Sequence, residues 1–237
     1  MTPQEKTEAE KTAALARLRG TFERISTMLD DPEYRAHAEQ LAAETRVFEA
    51  QQAAYRDDGR RMAVGLDSAM WRAVDSPREE PALISVRGFL ASPPECCFRV
   101  LAGPKGRGKT YALAWAAKTG GGRYVDAAAL VATSTFDASA WKDLEHARVL
   151  CLDELGAEAT NAAYEANLYA LLNRRYQAQR KTLIATNLNA ASFRARYCEA
   201  GLDRLLERIQ TGGDFVTFGG ETLRRHWQDD TDKETEP

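Results

Sequence analysis

Gly103-Pro104-Lys105-Gly106-Arg107-Gly108-Lys109-Thr110 decides the fold of this chain. It fits the pattern G-x-x-x-x-G-K-[ST] and stands between FRVLA (98–102), which reads as a buried strand, and YALAWAAK, which opens a helix. That context is what the pattern needs. Glycines let the backbone turn its N–H groups inward onto phosphate oxygens, at a helix N-terminus whose dipole favours anions. Lys109 would reach the β- and γ-phosphates of a nucleotide, and the Thr110 hydroxyl would ligate Mg²⁺. A glycine-rich turn with an exposed lysine would not require the strand before it and the helix after it.

Working outward, VLCLDE (149–154) is an apolar run ending in two acids, 44 residues beyond Lys109. Carboxylates at the end of a buried strand are costly unless they meet a cation. Asp153 therefore reads as the Mg²⁺ partner and Glu154 as the base that polarises an attacking water. An acidic Glu154 also weighs against a nucleotide-dependent interaction module with little turnover. TLIATN (182–187) ends in Asn187, whose amide could hold the lytic water or the γ-phosphate. Asn also favours strand-capping turns, and that alternative stays open.

Strand-like runs at 98–102, 123–126, 148–153, 182–187 and 214–218 alternate with helical stretches at 110–118, 138–146, 164–179, 191–198 and 201–210. Such alternation predicts an α/β domain with a parallel sheet covered on both faces.

The first part of the chain has a different texture. Residues 1–80 hold 12 Lys/Arg against 16 Asp/Glu, a net charge of −4, and contain no strand-like run. Leu15, Leu18, Phe22, Ile25 and Leu29 step by three and four along one helix. Asp30-Asp31-Pro32 breaks it, and Tyr34, Leu41, Phe48 and Tyr55 then recur every seven residues. These stripes predict a helical hairpin over 1–56, either docking a partner or packing on a core. Residues 57–97 read as a connector with short helices around 68–74 and 84–90, punctuated by Pro77 and Pro81. The last ten residues, 228–237, carry five acids and one lysine and are expected to be a disordered tail.

Composition excludes other classes. Lys and Arg total 32 against 35 acids, so no bulk positive field advertises nucleic acid. Four cysteines without a CxxC pair, and three scattered histidines, argue against a disulfide framework or a zinc site. With no run of about 20 apolar residues and no apolar segment at the start, neither a membrane span nor a secretory signal is expected. A cytoplasmic setting follows.

Taken in order, GPKGRGKT, VLCLDELG, NRRYQAQRKTLIATNL and DRLLERIQTGGDFVTFGGETLRR resemble the AAA+ ATPases of the DnaC/DnaI/IstB type. The likeness covers about residues 80–225. It implies a P-loop NTPase (AAA+) fold for residues 98–227, with a five-stranded parallel sheet in the order 5-1-4-3-2. It also implies ATP with Mg²⁺ as cofactors, and an active site completed between subunits of a homo-oligomer. Gly103 to Thr110 would hold the nucleotide, with Thr110 and Asp153 on the metal, Glu154 the base and Asn187 a sensor of the γ-phosphate. Arg208 matches the arginine finger that reaches a neighbour's phosphate, with Arg204 one turn earlier beside it. Without the resemblance, both arginines read as a solvated helix face pairing with Asp203 and Glu207. The expected role is loading a replicative helicase onto DNA, single-stranded in preference. The rival is a transposition helper that activates a transposase. The chain departs from the pattern in carrying Lys105 and Arg107 inside the loop. Only 19 residues follow Phe218, so no C-terminal helical lid is expected.

Overall fold

The computed structural model describes residues 15–23, 31–133, 138–159, 161–199 and 203–220. Ile25 and Leu29 of the first stripe, and the tail at 228–237, lie outside these. The chain divides into two units, 1–58 and 59–237.

In the first unit, residues 15–23 are helical (α1) and α2 begins at Pro32, running to Val64 in the second unit. Leu15, Leu18, Phe22, Tyr34, Leu41, Phe48 and Tyr55 are all exposed, Tyr55 by 83%. The second helix of the expected hairpin also continues unbroken through 56–64. It ends at Gly65, whose φ of 89° is left-handed. There the Leu66 amide donates to Arg61 O and the Gly65 amide to Met62 O, a Schellman closure.

The second unit is a five-stranded parallel sheet. In chain order come α3 (Ser68–Ala73), α4 (Pro81–Leu90), β1 (Phe98–Ala102), α5 (Lys109–Gly120), β2 (Arg123–Asp126) and α6 (Ala127–Thr133). Then follow α7 (Ala138–His146), β3 (Val149–Asp153), α8 (Ala162–Gln177), β4 (Lys181–Thr186), α9 (Ala190–Glu199), α10 (Asp203–Thr211) and β5 (Gly213–Thr217). The strand order is β2-β3-β4-β1-β5, the expected 5-1-4-3-2 read from the other edge. All five strands fall where the apolar runs predict them. Helix α6 was not anticipated.

The central strands read as nearly continuous apolar runs because both faces are covered. Phe98, Val100, Leu150, Leu152 and Ile184 point into one core with α8, α9 and α10. Leu101, Val149, Cys151, Leu183 and Ala185 alternate into the other, against alanine-rich α5.

This second core corrects the reading of 57–97 as a connector. Val64, Leu66, Trp71, Val74, Leu83, Val86 and Phe89 are buried in it. Pro81 occupies the first turn of α4, where its missing N–H costs nothing. Among the described residues, no helix is long and apolar enough to cross a membrane.

Candidate active site

The parallel register brings three loops to one edge of the sheet. Ala102 pairs with Thr186 and Leu152 with Ile184, so β1, β3 and β4 end side by side, about 4.8 Å apart. Beyond these ends an open cleft of about 910 Å³ is lined by Lys105, Gly106, Arg107, Gly108, Lys109, Thr110, Asp153, Glu154 and Asn187. Residues called from separate stretches of sequence thus meet in one place. Gly103 and Pro104 contribute backbone carbonyls instead.

Gly108 sits at the N-cap of α5 with φ 75°, and the helix's first amides open toward the loop. A side chain there would also strike Glu80, whose Oε2 lies 2.0 Å from where a Cβ would stand. Lys109 is buried, and its Nζ donates to Gly103 O at 2.7 Å, Pro104 O at 2.9 Å and Asn187 Oδ1 at 3.1 Å. Arg107 is half-buried, and its Nε has no hydrogen-bond partner among the described residues. A buried, unsatisfied donor in a loop of this kind suits an anion.

At the end of β3, Asp153 is 3% exposed. Its Oδ1 accepts the Glu154 amide at 2.9 Å and its Oδ2 accepts the Tyr124 hydroxyl at 2.7 Å. Burial and the Asp153 charge push the Tyr124 phenol well up from its ordinary value, so it stays a donor. Glu154 is exposed and takes φ 54°, a left-handed conformation that costs a non-glycine residue about 1 kcal/mol or more. The following turn holds it there. The Leu155 amide donates to Ala185 O, the Gly156 amide to Glu158 Oε2 at 2.6 Å, and the Ala157 amide to Glu154 O. Glu158 is itself buried, receiving the Tyr197 hydroxyl at 3.0 Å.

Four cleft residues escaped the sequence reading: Met70, Arg78, Glu80 and Tyr111. The Tyr111 hydroxyl donates to Ser76 O at 3.0 Å and accepts the Arg78 amide at 3.2 Å, pinning this segment beside α5. Met70, Arg78 and Glu80 lie around two prolines in a stretch that reads as a connector, and Tyr111 directly follows the phosphate loop. Arg204 and Arg208 do not line the cleft. Arg204 is exposed, whereas the Arg208 guanidinium lies 5.0 Å from the Tyr176 ring centroid.

The profile of the IstB-like ATP binding proteins matches residues 98–231, more than half of the chain. The chain belongs to the IstB-like ATP-binding proteins. It is accordingly a P-loop ATPase of the AAA+ class. Among solved structures, this IstB-like chain is similar to DnaI, at 20% identity and a TM-score of 0.50 over 66% of this chain and 93% of that one. The DnaC helicase loader gives 22% identity and a TM-score of 0.49 over 65% of this chain and 100% of that one. A primosome component of Streptococcus pyogenes serotype M3, described as putative, gives 19% and 0.47 over 69% and 87%. At this identity the likeness to DnaI is one of fold. A search of the curated proteins finds no match.

Proposed function

We propose that this IstB-like ATPase loads a replicative helicase onto DNA, single-stranded in preference, and that ATP hydrolysis in a homo-oligomer controls release of the helicase. The observation that carries the partner half of this reading is the exposed stripe Tyr34, Leu41, Phe48 and Tyr55 on α2, with Leu15, Leu18 and Phe22 on α1. Apolar side chains spaced by seven along one helix line suit an amphipathic groove on another protein, and so large an apolar surface is unfavourable left in water.

In the ATPase half, the phosphates would lie on the α5 amides with Lys109 and Arg107 over them. Glu154 would take the proton from the attacking water, and Asn187 would hold that water or the γ-phosphate. Met70, Arg78, Glu80 and Tyr111 would flank the base and ribose. Mg²⁺ suits the donor set of Asp153 and Thr110. Asp153 is a buried carboxylate whose hydrogen-bond donors are neutral, and among the described residues there is no cluster of three or more acidic, His or Cys ligands. Mg²⁺ is commonly held this way, by one carboxylate, a hydroxyl and the phosphates themselves, and would neutralise charge developing on the transferred phosphate.

Of the two candidate fingers, Arg204 is the better placed to reach a neighbouring subunit. Arg208 packs on the Tyr176 ring, 5.0 Å from its centroid, although its Nε is buried without a hydrogen-bond partner among the described residues.

A transposition helper is the second reading, favoured by the family match itself. Pull-down of the full chain, with ATP and Mg²⁺, against the host replicative helicase and against a transposase separates the two. Capture of the helicase alone supports loading, and capture of the transposase alone replaces it with the helper reading.

A further inference from the structure

Nothing in the sequence pointed to Tyr124, yet it makes the shortest side-chain contact to Asp153. It lies on β2, in register with Cys151, two residues before Asp153 on the neighbouring strand. Residues i and i+2 of a strand share a face, so the ring runs along the sheet toward the edge that bears the cleft. Its hydroxyl ends 2.7 Å from Asp153 Oδ2. The Tyr124 carbonyl is itself held against Gly65, where a Cβ would stand only 2.4 Å away. Ring and backbone are therefore both fixed.

The geometry points to Tyr124 as a positioning residue for the divalent cation of the ATPase site, acting through Asp153. With the Glu154 amide on Oδ1 and the Tyr124 hydroxyl on Oδ2, the carboxylate cannot turn about its last torsion. Each oxygen keeps a lone pair for the cleft, where Thr110 lies. A neutral donor suits this task better than lysine or arginine, because it orients the carboxylate without cancelling the charge that attracts the cation. Partners that orient metal ligands in this way typically change metal affinity by about 10–100-fold when removed. The inference rests on the reading of Asp153 as the carboxylate on the Mg²⁺ side.

The test uses the full chain, a non-hydrolysable ATP analogue, and Mn²⁺ as a paramagnetic probe of the metal site. Tyr124→Phe keeps the ring and removes only the hydroxyl. The expected result is a fall in Mn²⁺ affinity of about 10–100-fold, with affinity for the analogue in EDTA unchanged. The Mg²⁺ concentration giving half-maximal hydrolysis should rise in parallel. Unchanged Mn²⁺ affinity in Tyr124→Phe, in a background where Asp153→Asn loses it, overturns the inference and leaves the metal site standing. So does an equal loss of analogue affinity in EDTA, which marks general damage. If Asp153→Asn itself keeps full Mn²⁺ affinity, the reading of Asp153 fails and the inference with it.

Discussion

Lys109 Nζ lies 3.1 Å from Asn187 Oδ1, joining the phosphate loop after β1 to the end of β4. The same ammonium is bonded to two carbonyls of its own loop, so it sits preorganised at the floor of the cleft. Lys109→Ala removes the cation proposed to lie over the β- and γ-phosphates and leaves three oxygens without their donor. ATP binding should be lost, as read by titration with a fluorescent ATP analogue. Undiminished affinity would remove Lys109 from the nucleotide site.

Glu154→Gln keeps shape and the left-handed backbone but deletes the charge that would polarise water. The variant should bind ATP as the parent does and turn over roughly 10²–10⁴-fold more slowly, the usual worth of a general base. Steady-state phosphate release at the parental rate would show that the base lies elsewhere. Asn187→Ala should likewise spare binding and lower kcat.

The two arginines of α10 separate by their surroundings. Arg204→Ala should leave melting and ATP binding unchanged but depress hydrolysis in the assembled protein, by about 10³-fold or more if it is a finger. Mixing it with Lys109→Ala chains should restore part of the activity, since an intact pocket then meets an intact arginine. Arg208→Ala should instead lower stability by about 1 kcal/mol through the lost contact with Tyr176. Should Arg208→Ala alone show the catalytic loss and the recovery on mixing, the roles are reversed.

Truncation tests where the ATPase unit begins. A chain of residues 59–237 should fold and bind ATP, whereas one of residues 98–237 should not. The shorter chain lacks Val64, Leu66, Trp71, Val74, Leu83, Val86 and Phe89, each worth about 1.5–3 kcal/mol when buried. Their sum, on the order of 10–20 kcal/mol, is as large as the roughly 5–15 kcal/mol by which domains are stable. Trp71→Ala alone should cost about 3–5 kcal/mol. Thermal melting and circular dichroism decide both points.

Partner docking through α2 is tested on its surface. Leu41→Asp with Phe48→Asp alters two exposed side chains, so melting and ATP hydrolysis should be unaffected. Capture of the helicase should fall sharply, because a few apolar anchors carry most of such an interface. Retained capture would place the docking surface elsewhere.

Features that depend on neighbours along the chain are legible from the residues alone. The phosphate loop needs only glycines, a lysine and a threonine at fixed spacing between a strand and a helix. Strands β1, β3 and β4 declare themselves because strands buried on both faces must be apolar throughout. The order of the sheet came through the family likeness carried by those motifs. Which surfaces are buried depends on residues far apart in the chain and emerges only in the folded molecule. The stretch from Val64 to Phe89 reads locally as a linker with prolines, but the open face of the sheet beneath α5 gives it a core to join. Helix α2 reads as a stripe seeking a partner or a core, and its side chains Tyr34, Leu41, Phe48 and Tyr55 are exposed. Tyr124 stands on an edge strand with no motif around it. It reaches Asp153 because β2 pairs with β3 in the register that sets its hydroxyl there.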